Sequence, residues 1–206
     1  MRPQIILSSA LLLLLTAAPV RAMEECGSLD NAYGPYDYWT AKPEQRSIVE
    51  RHHLTDDVLT LRRGATSTRV GGDIDYTLRA FPNHPRALAA MAELGFRTKS
   101  AKPPGSRYTI ECWFDRAMRF RPKDGMVRAI WGVALLKNGK RDAAIRELTV
   151  ADELLPNNAN VLYNLGLAYA DAKDYDRAVV YAKRAYDLGF TLPGLREMLK
   201  KAGKWP

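Results

Sequence analysis

The chain has 206 residues, with 31 Lys and Arg against 23 Asp and Glu, for a formal net charge of +8. This length is sufficient for one domain with its own core. The basic residues are spread along the chain rather than clustered, so no nucleic-acid partner is expected. The moderate positive balance fits either anionic partners or an evenly charged soluble surface.

The first 22 residues have the pattern of a secretory signal peptide. Arg2 precedes an uncharged apolar run, Ile5–Ala18, and the tripeptide at 20–22 (VRA) offers side chains that suit a signal peptidase. The run is shorter than the about 20 residues that span a bilayer, so we expect cleavage and no stable membrane insertion. An uncleaved N-terminal anchor is the alternative. We predict an exported protein, either periplasmic or secreted, whose charge after cleavage is +6, from 29 basic and 23 acidic residues.

Residues 23–65 are predicted to form an irregular N-terminal extension. Its first part, at 26–45, is rich in Tyr, Gly and Pro, and a short helix is expected at Ser47–Leu61. Four aromatic residues are too many for a solvated tail, so we expect them to pack on the chain itself rather than on a partner. They are Tyr33, Tyr36, Tyr38 and Trp39.

Two cysteines in an exported chain favour one disulfide, Cys26–Cys112, over two free thiols. Closing so long a loop removes roughly 4–5 kcal/mol of unfolded-state entropy in the chain-entropy model. The bond would tie the extension to the rest of the domain.

A metal site is suggested most strongly by His52 and His53, which Asp56 and Asp57 follow. On a helix only His53 and Asp57 would share a face, at positions i and i+4. Two ligands are too few for zinc and no matching Cys/His pair lies nearby, so we expect no metal site. The sequence also has no nucleophile elbow and no Gly-rich phosphate loop. We therefore predict no enzymatic activity, no catalytic residues and no cofactor.

Residues 125–158 and 159–192 align without gaps at a spacing of 34 residues. The first copy matches the second at small residues, where two helices can cross closely. Pro156 ends the first copy because it cannot continue a helix, and Asp124 and Asn158 stand where helix N-caps are needed. The matched pairs are Gly132 with Gly166, Ala144 with Ala178, and Ala151 with Ala185.

This pattern resembles the tetratricopeptide-repeat (TPR) family, with W/L-G-x-x-Y, then A-x-x-x-F, then Ala and Pro. The resemblance implies an all-α fold: an α-solenoid in which antiparallel helix pairs form a right-handed superhelix. It is most specific at 125–190 and covers most of 66–192, which divides into a half unit at 66–84, an inserted unit at 85–124, and the two units at 125–158 and 159–192. The inserted residues are placed in a loop at Thr98–Arg107. A capping helix and tail are expected at 193–206.

In this family the first helix of each unit lines a concave groove that binds partner peptides. The resemblance implies a partner-binding groove formed by Arg86, Glu93, Phe96, Arg97, Ile130, Val133, Leu136, Lys137, Tyr163, Asn164 and Leu167. The groove is predicted to be apolar with a basic edge, which suits an apolar or amphipathic segment with acidic flanks. Ile130 and Val133 fit packing between helices equally well, whereas Tyr163 and Asn164 are expected to be exposed.

The leading hypothesis is therefore a non-enzymatic interaction scaffold or assembly factor in the periplasm or cell envelope. The first alternative is a carrier or binder of an anionic ligand such as cell-wall glycan, which the basic balance favours. The second alternative is a metalloprotein or enzyme that uses His52 and His53.

Overall fold

The computed structural model describes residues 26–205, so the predicted signal peptide at 1–22 lies outside the described residues. The described part contains ten helices and no strands, which confirms the all-α class. No helix within 26–205 is long and apolar enough to cross a membrane. The helices are α1 (Pro43–His53), α2 (Asp56–Leu59), α3 (Val70–Ala80), α4 (Pro85–Thr98), α5 (Ile110–Phe120), α6 (Gly125–Lys137), α7 (Arg141–Leu154), α8 (Ala159–Asp171), α9 (Tyr175–Asp187) and α10 (Gly194–Lys201).

The closest packing joins α6 to α7 and α8 to α9, and α7 also contacts α8. Glycine permits these approaches. A Cβ at Gly132 would lie 2.5 Å from Cγ of Leu148 on α7, and one at Gly166 would lie 2.5 Å from Cδ2 of Leu195 on α10. The predicted need for a small residue is thus met at both positions, although at Gly166 the nearest side chain belongs to α10.

A loop at residues 99–109 joins α4 to α5, where the inserted residues were predicted. It is fixed from both sides. The backbone N–H of Arg107 donates to Oδ1 of Asp75 on α3, at 2.6 Å, and the indole N–H of Trp113 on α5 donates to the Ser106 hydroxyl, at 2.8 Å. With this loop between them, α4 contacts α6 more extensively than it contacts α5.

The helix α10 closes the C-terminal end by packing on α8 and α9. Leu195 and Leu199 point inward and are fully buried. The guanidinium of Arg196 lies 4.3 Å from the ring centroid of Tyr186 and 5.4 Å from that of Trp205. The last helix therefore covers the apolar side of α8 that would otherwise face solvent.

The extension packs along α3 and α5. Cys26 and Cys112 form the predicted disulfide, with their Cα atoms 5.0 Å apart. Beside it, Nη1 of the buried Arg116 donates to the carbonyls of Cys26 and Ser28, at 2.9 and 2.5 Å. The backbone N–H of Tyr36 donates to the Ala80 carbonyl at the end of α3, at 2.8 Å.

The tyrosines of the extension are half-buried, as expected for packing on the chain itself. Tyr33 and Tyr36 form a cluster with Phe81, and Tyr38 packs against His84 with ring centroids 4.5 Å apart. Trp39 differs, because 49% of its surface remains exposed. The helix expected at 47–61 is two helices, α1 and α2, separated at Leu54–Thr55.

Candidate partner-binding groove

An open groove of about 540 Å³ runs along α6, between α4 and α8. Its walls are mainly apolar, and neutral amides stand at its ends. The lining residues include Ala89, Ala92, Glu93 and Phe96 from α4, Met126, Ala129, Ile130, Val133 and Lys137 from α6, and Asn160, Val161 and Asn164 from α8.

Six of the sequence-predicted residues lie together in this groove: Glu93, Phe96, Ile130, Val133, Lys137 and Asn164. Two of them present large apolar surface to solvent, since Phe96 is 42% exposed and Val133 is 38% exposed. Ile130 is half-buried, so it serves both the groove wall and the core beneath it. The amide of Asn164 donates back to the Asn160 carbonyl one turn earlier, at 2.8 Å.

The other predicted residues lie elsewhere. Arg86 is exposed on the first turn of α4 and does not line the groove. Arg97 lies at the end of α4, where it lines a neighbouring hollow. Leu136 and Leu167 are half-buried and pack against the core cluster of α7 to α10. These two leucines thus pack between helices and do not line the groove.

The expected exposure of Tyr163 is wrong, because this residue is buried. Its ring stacks on Phe190 with centroids 4.2 Å apart, and its hydroxyl accepts a hydrogen bond from the Leu195 backbone N–H at 3.2 Å. Burial raises the pKa of the Tyr163 hydroxyl above its ordinary value. The segment that leads into α10 covers this face of α8 and removes Tyr163 from the binding surface.

The basic edge of the groove is largely paired. Glu93 accepts hydrogen bonds from Lys137 and from Arg97, and the bond from Lys137 is the larger cause of the lowered pKa of Glu93. The ammonium of Lys137 also lies 4.1 Å from the ring centroid of Phe96. These contacts hold Phe96 at the rim and reduce the net charge that the groove presents there.

A second hollow, of about 710 Å³, adjoins the first at Phe96 and Asn138. It lies where α4 ends and α5 begins, beside the loop at 99–109. Ile110 and Trp131 supply apolar walls, and Lys99 stands at its edge. The insertion was recognised in the sequence, but a hollow beside it was not predicted, because the repeat pattern gives no position for α5 after an insertion.

A third hollow, of about 290 Å³, lies at the other end of α6 and joins the extension to the groove. Its lining includes Trp39, Arg121, Lys123, Met126 and Leu155. Met126 also lines the main groove, so the two depressions meet at its side chain. No local sequence signal placed Trp39 beside Met126, which lies 87 positions later.

The histidine pair does not form the arrangement considered for a metal. His53 contacts Asp73 rather than Asp57, with Nδ1 3.0 Å from Oδ1 of Asp73 and 2.8 Å from the Thr66 hydroxyl. Among residues 26–205, no group of three His, Cys, Asp or Glu side chains is placed to hold a metal ion.

No protein-family model matches the chain, and no curated protein matches its sequence. Function is therefore inferred from the geometry of the molecule itself, and above all from the apolar groove along α6.

Proposed function

We propose that the protein is an exported, non-enzymatic TPR-type scaffold that binds a segment of another protein in its groove. The 34-residue repeat at 125–192, the paired packing of α6 with α7 and α8 with α9, and a groove lined by α4, α6 and α8 support this proposal. The signal-like leader and the Cys26–Cys112 disulfide support a periplasmic or secreted location.

The observation that carries the proposal is the exposed apolar surface of the groove. Val133 and Phe96 each leave more than a third of their surface in water, although a monomer gains stability by burying such side chains. They face one concave surface rather than being scattered, which is the arrangement that marks a binding site for an apolar segment.

The alternative, a carrier of an anionic ligand such as cell-wall glycan, has less support from the groove. Lys137, which lies over the Phe96 ring, and Arg97 are both paired with Glu93. A polyanion would have to displace that carboxylate and would leave the apolar walls unused.

Site-specific photo-crosslinking in the native envelope tests the proposal. A photoreactive phenylalanine analogue at Phe96 should crosslink to a discrete partner, and Val133→Glu should abolish the product by placing a charge in the apolar floor. The matched control is Val180→Glu on α9, which introduces the same charge at a valine that is 56% exposed and outside the groove. Equal crosslinking in both variants, or none in the parent protein, would contradict the proposal.

A further inference from the structure

Trp39 is an exposed aromatic residue that is nevertheless held rigidly. Its indole N–H donates to Oδ2 of Asp124, at 2.8 Å, and its ring packs edge-on against Tyr38 with centroids 4.9 Å apart. Oδ2 of Asp124 also accepts from the amide of the buried Asn83, which in turn donates to Asp37, with both distances 2.9 Å. About half of the surface of Trp39 is thus presented to solvent in a fixed position.

The position of Trp39 relates directly to the groove. Asp124 is the N-cap of α6, so the residue that anchors Trp39 also starts the helix that forms the groove floor. Met126 lies two residues further and borders both the groove and the hollow of Trp39. The apolar surface therefore continues from Val133 past Met126 to a side chain that belongs to the extension.

The unpaired charge exposed beside Trp39 is positive, since the carboxylate of Asp124 is buried against the indole. Lys123 is exposed and makes no ion pair within residues 26–205, whereas Arg121 pairs with Asp37 at 3.1 Å. A second copy of this chain would bring the same surplus of basic residues, because the chain carries +6 after the predicted cleavage, from 29 basic and 23 acidic residues. An acidic partner complements this end of the groove better than a second copy does.

We propose that Trp39 and Lys123 extend the groove and select the partner, which is an acidic protein segment carrying two apolar anchors. One anchor enters the groove at Val133, the other lies on Trp39, and an acidic side chain faces Lys123. Val133 lies nine positions after Asp124, which anchors Trp39, so the two anchor points are about 14 Å apart along α6, a distance that an extended segment of about four to five residues covers. This inference rests on the proposed function, since it names the class of partner for the same site.

Fluorescence anisotropy with three matched, labelled eleven-residue peptides tests the inference. Each peptide carries Leu and Phe about four to five residues apart, and the flanks are Glu, Gln or Lys. The Glu-flanked peptide should bind most tightly, and Trp39→Ser should weaken it by about tenfold. Ile48→Ser is the matched control, because Ile48 is an equally exposed apolar residue of the extension, at 45%, and lines none of the three hollows.

Charge reversal separates a specific contact from a general electrostatic effect. Lys123→Glu should weaken the Glu-flanked peptide and strengthen the Lys-flanked one, each by about fivefold at low salt. Trp39→Phe keeps an apolar ring but loses the bond to Asp124, so it should retain most of the binding. Circular dichroism melting of each variant shows that the fold is intact.

Several results would overturn the inference. If Trp39→Ser and Lys123→Glu bind like the parent while Val133→Glu abolishes binding, the groove acts without the extension and the proposed function stands. Polyglutamate binding as tightly as the Glu-flanked peptide would show a simple polyanion site. Self-association that Trp39→Ser abolishes would assign the surface to a second copy. No binding of any of the three peptides would remove this partner class, and the crosslinking experiment would then decide the proposed function separately.

Discussion

At the scale of single residues, His84 shows how a buried polar group is made compatible with the core. Its Nδ1 accepts the Ala87 backbone N–H and so caps α4, which leaves Nε2 to donate to Glu50 on α1, at 3.1 Å. Because Nδ1 accepts a hydrogen bond, it carries no proton, and the imidazole of His84 is therefore neutral. Burial is the main cause that lowers the pKa of His84 to about 4, and the bond to Glu50 only partly opposes it.

Stability should therefore fall in acid because of His84. In the unfolded chain its pKa is near 6.5, so between about pH 6.5 and pH 4 the unfolded state binds the proton and the folded state does not. The free energy of unfolding should decrease by about 3 kcal/mol across that window, and His84 adds no further loss below it. Urea titrations at several pH values measure this slope. His84→Asn, which can still cap α4, should give a shallower slope, and an unchanged slope would refute the assignment.

The glycine at the crossing of α6 and α7 gives a second prediction. Gly132→Ala places a Cβ against Leu148, so the free energy of unfolding should fall by about 1–3 kcal/mol, although alanine favours helix formation. Thermal or urea unfolding measures the change. In a Leu148→Ala background the same substitution should cost less, because the clashing atoms are gone. If Gly132→Ala lowered the free energy of unfolding equally in both backgrounds, the contact with Leu148 would not be the cause of the loss.

At the scale of elements, Asp73 connects a loop to a helix. It is fully buried and accepts from the Ala65 and Ser67 backbone N–H groups, at 2.8 and 3.0 Å, and from the Thr66 hydroxyl, at 2.6 Å. Burial alone would raise the pKa of Asp73, but the hydrogen bonds, led by that of Thr66, outweigh it and lower the pKa.

Asp73→Ala should therefore release the loop before α3. The loss of several charge-assisted hydrogen bonds should lower the free energy of unfolding by about 3 kcal/mol. Trypsin should also cleave the native variant after Arg62, Arg63 or Arg69. Asp176→Ala is the matched control, because Asp176 also lies in the first turn of a helix but is exposed. The proposed role of Asp73 fails if both variants resist trypsin equally.

The parts of the fold that the sequence predicted are those with local signals. Prolines, N-caps and the small residues at a spacing of 34 located α6 to α9. The assignment of a first helix to each unit placed Phe96, Ile130 and Val133 in one groove. Tyr163 was misplaced because it corresponds to Ala129 in the preceding unit, which lines the groove. Only in the last unit does the segment near Phe190 fold back over that position, and the repeat contains no signal of it.

At the scale of the whole molecule, the extension is fastened at two separate places. One is the disulfide with Arg116 and its bonds to the carbonyls of residues 26–28. The other is the polar network in which Asn83 connects Asp37 to Asp124. The partners in this network lie 46 and 41 positions apart, so no local pattern could reveal them. The network brings the extension to the turns that precede α4 and α6, at one end of the groove.

This arrangement predicts how the molecule responds to loss of the disulfide. The double substitution Cys26→Ser and Cys112→Ser should lower the free energy of unfolding by roughly 4–5 kcal/mol, because the bond closes a loop with a sequence separation of 86. Calorimetry or urea unfolding measures this loss, and parent protein treated with reductant should match the variant.

The effect on the native state should be local. Residues near Cys26 should become protease-sensitive, whereas Trp39 should stay in place because Asn83 and Asp124 hold it independently of the disulfide. Hydrogen exchange resolves the two regions, and peptide binding at Trp39 should persist in the variant below its melting temperature. Equal loss of protection at both regions would mean that the extension is held as one unit by the disulfide alone.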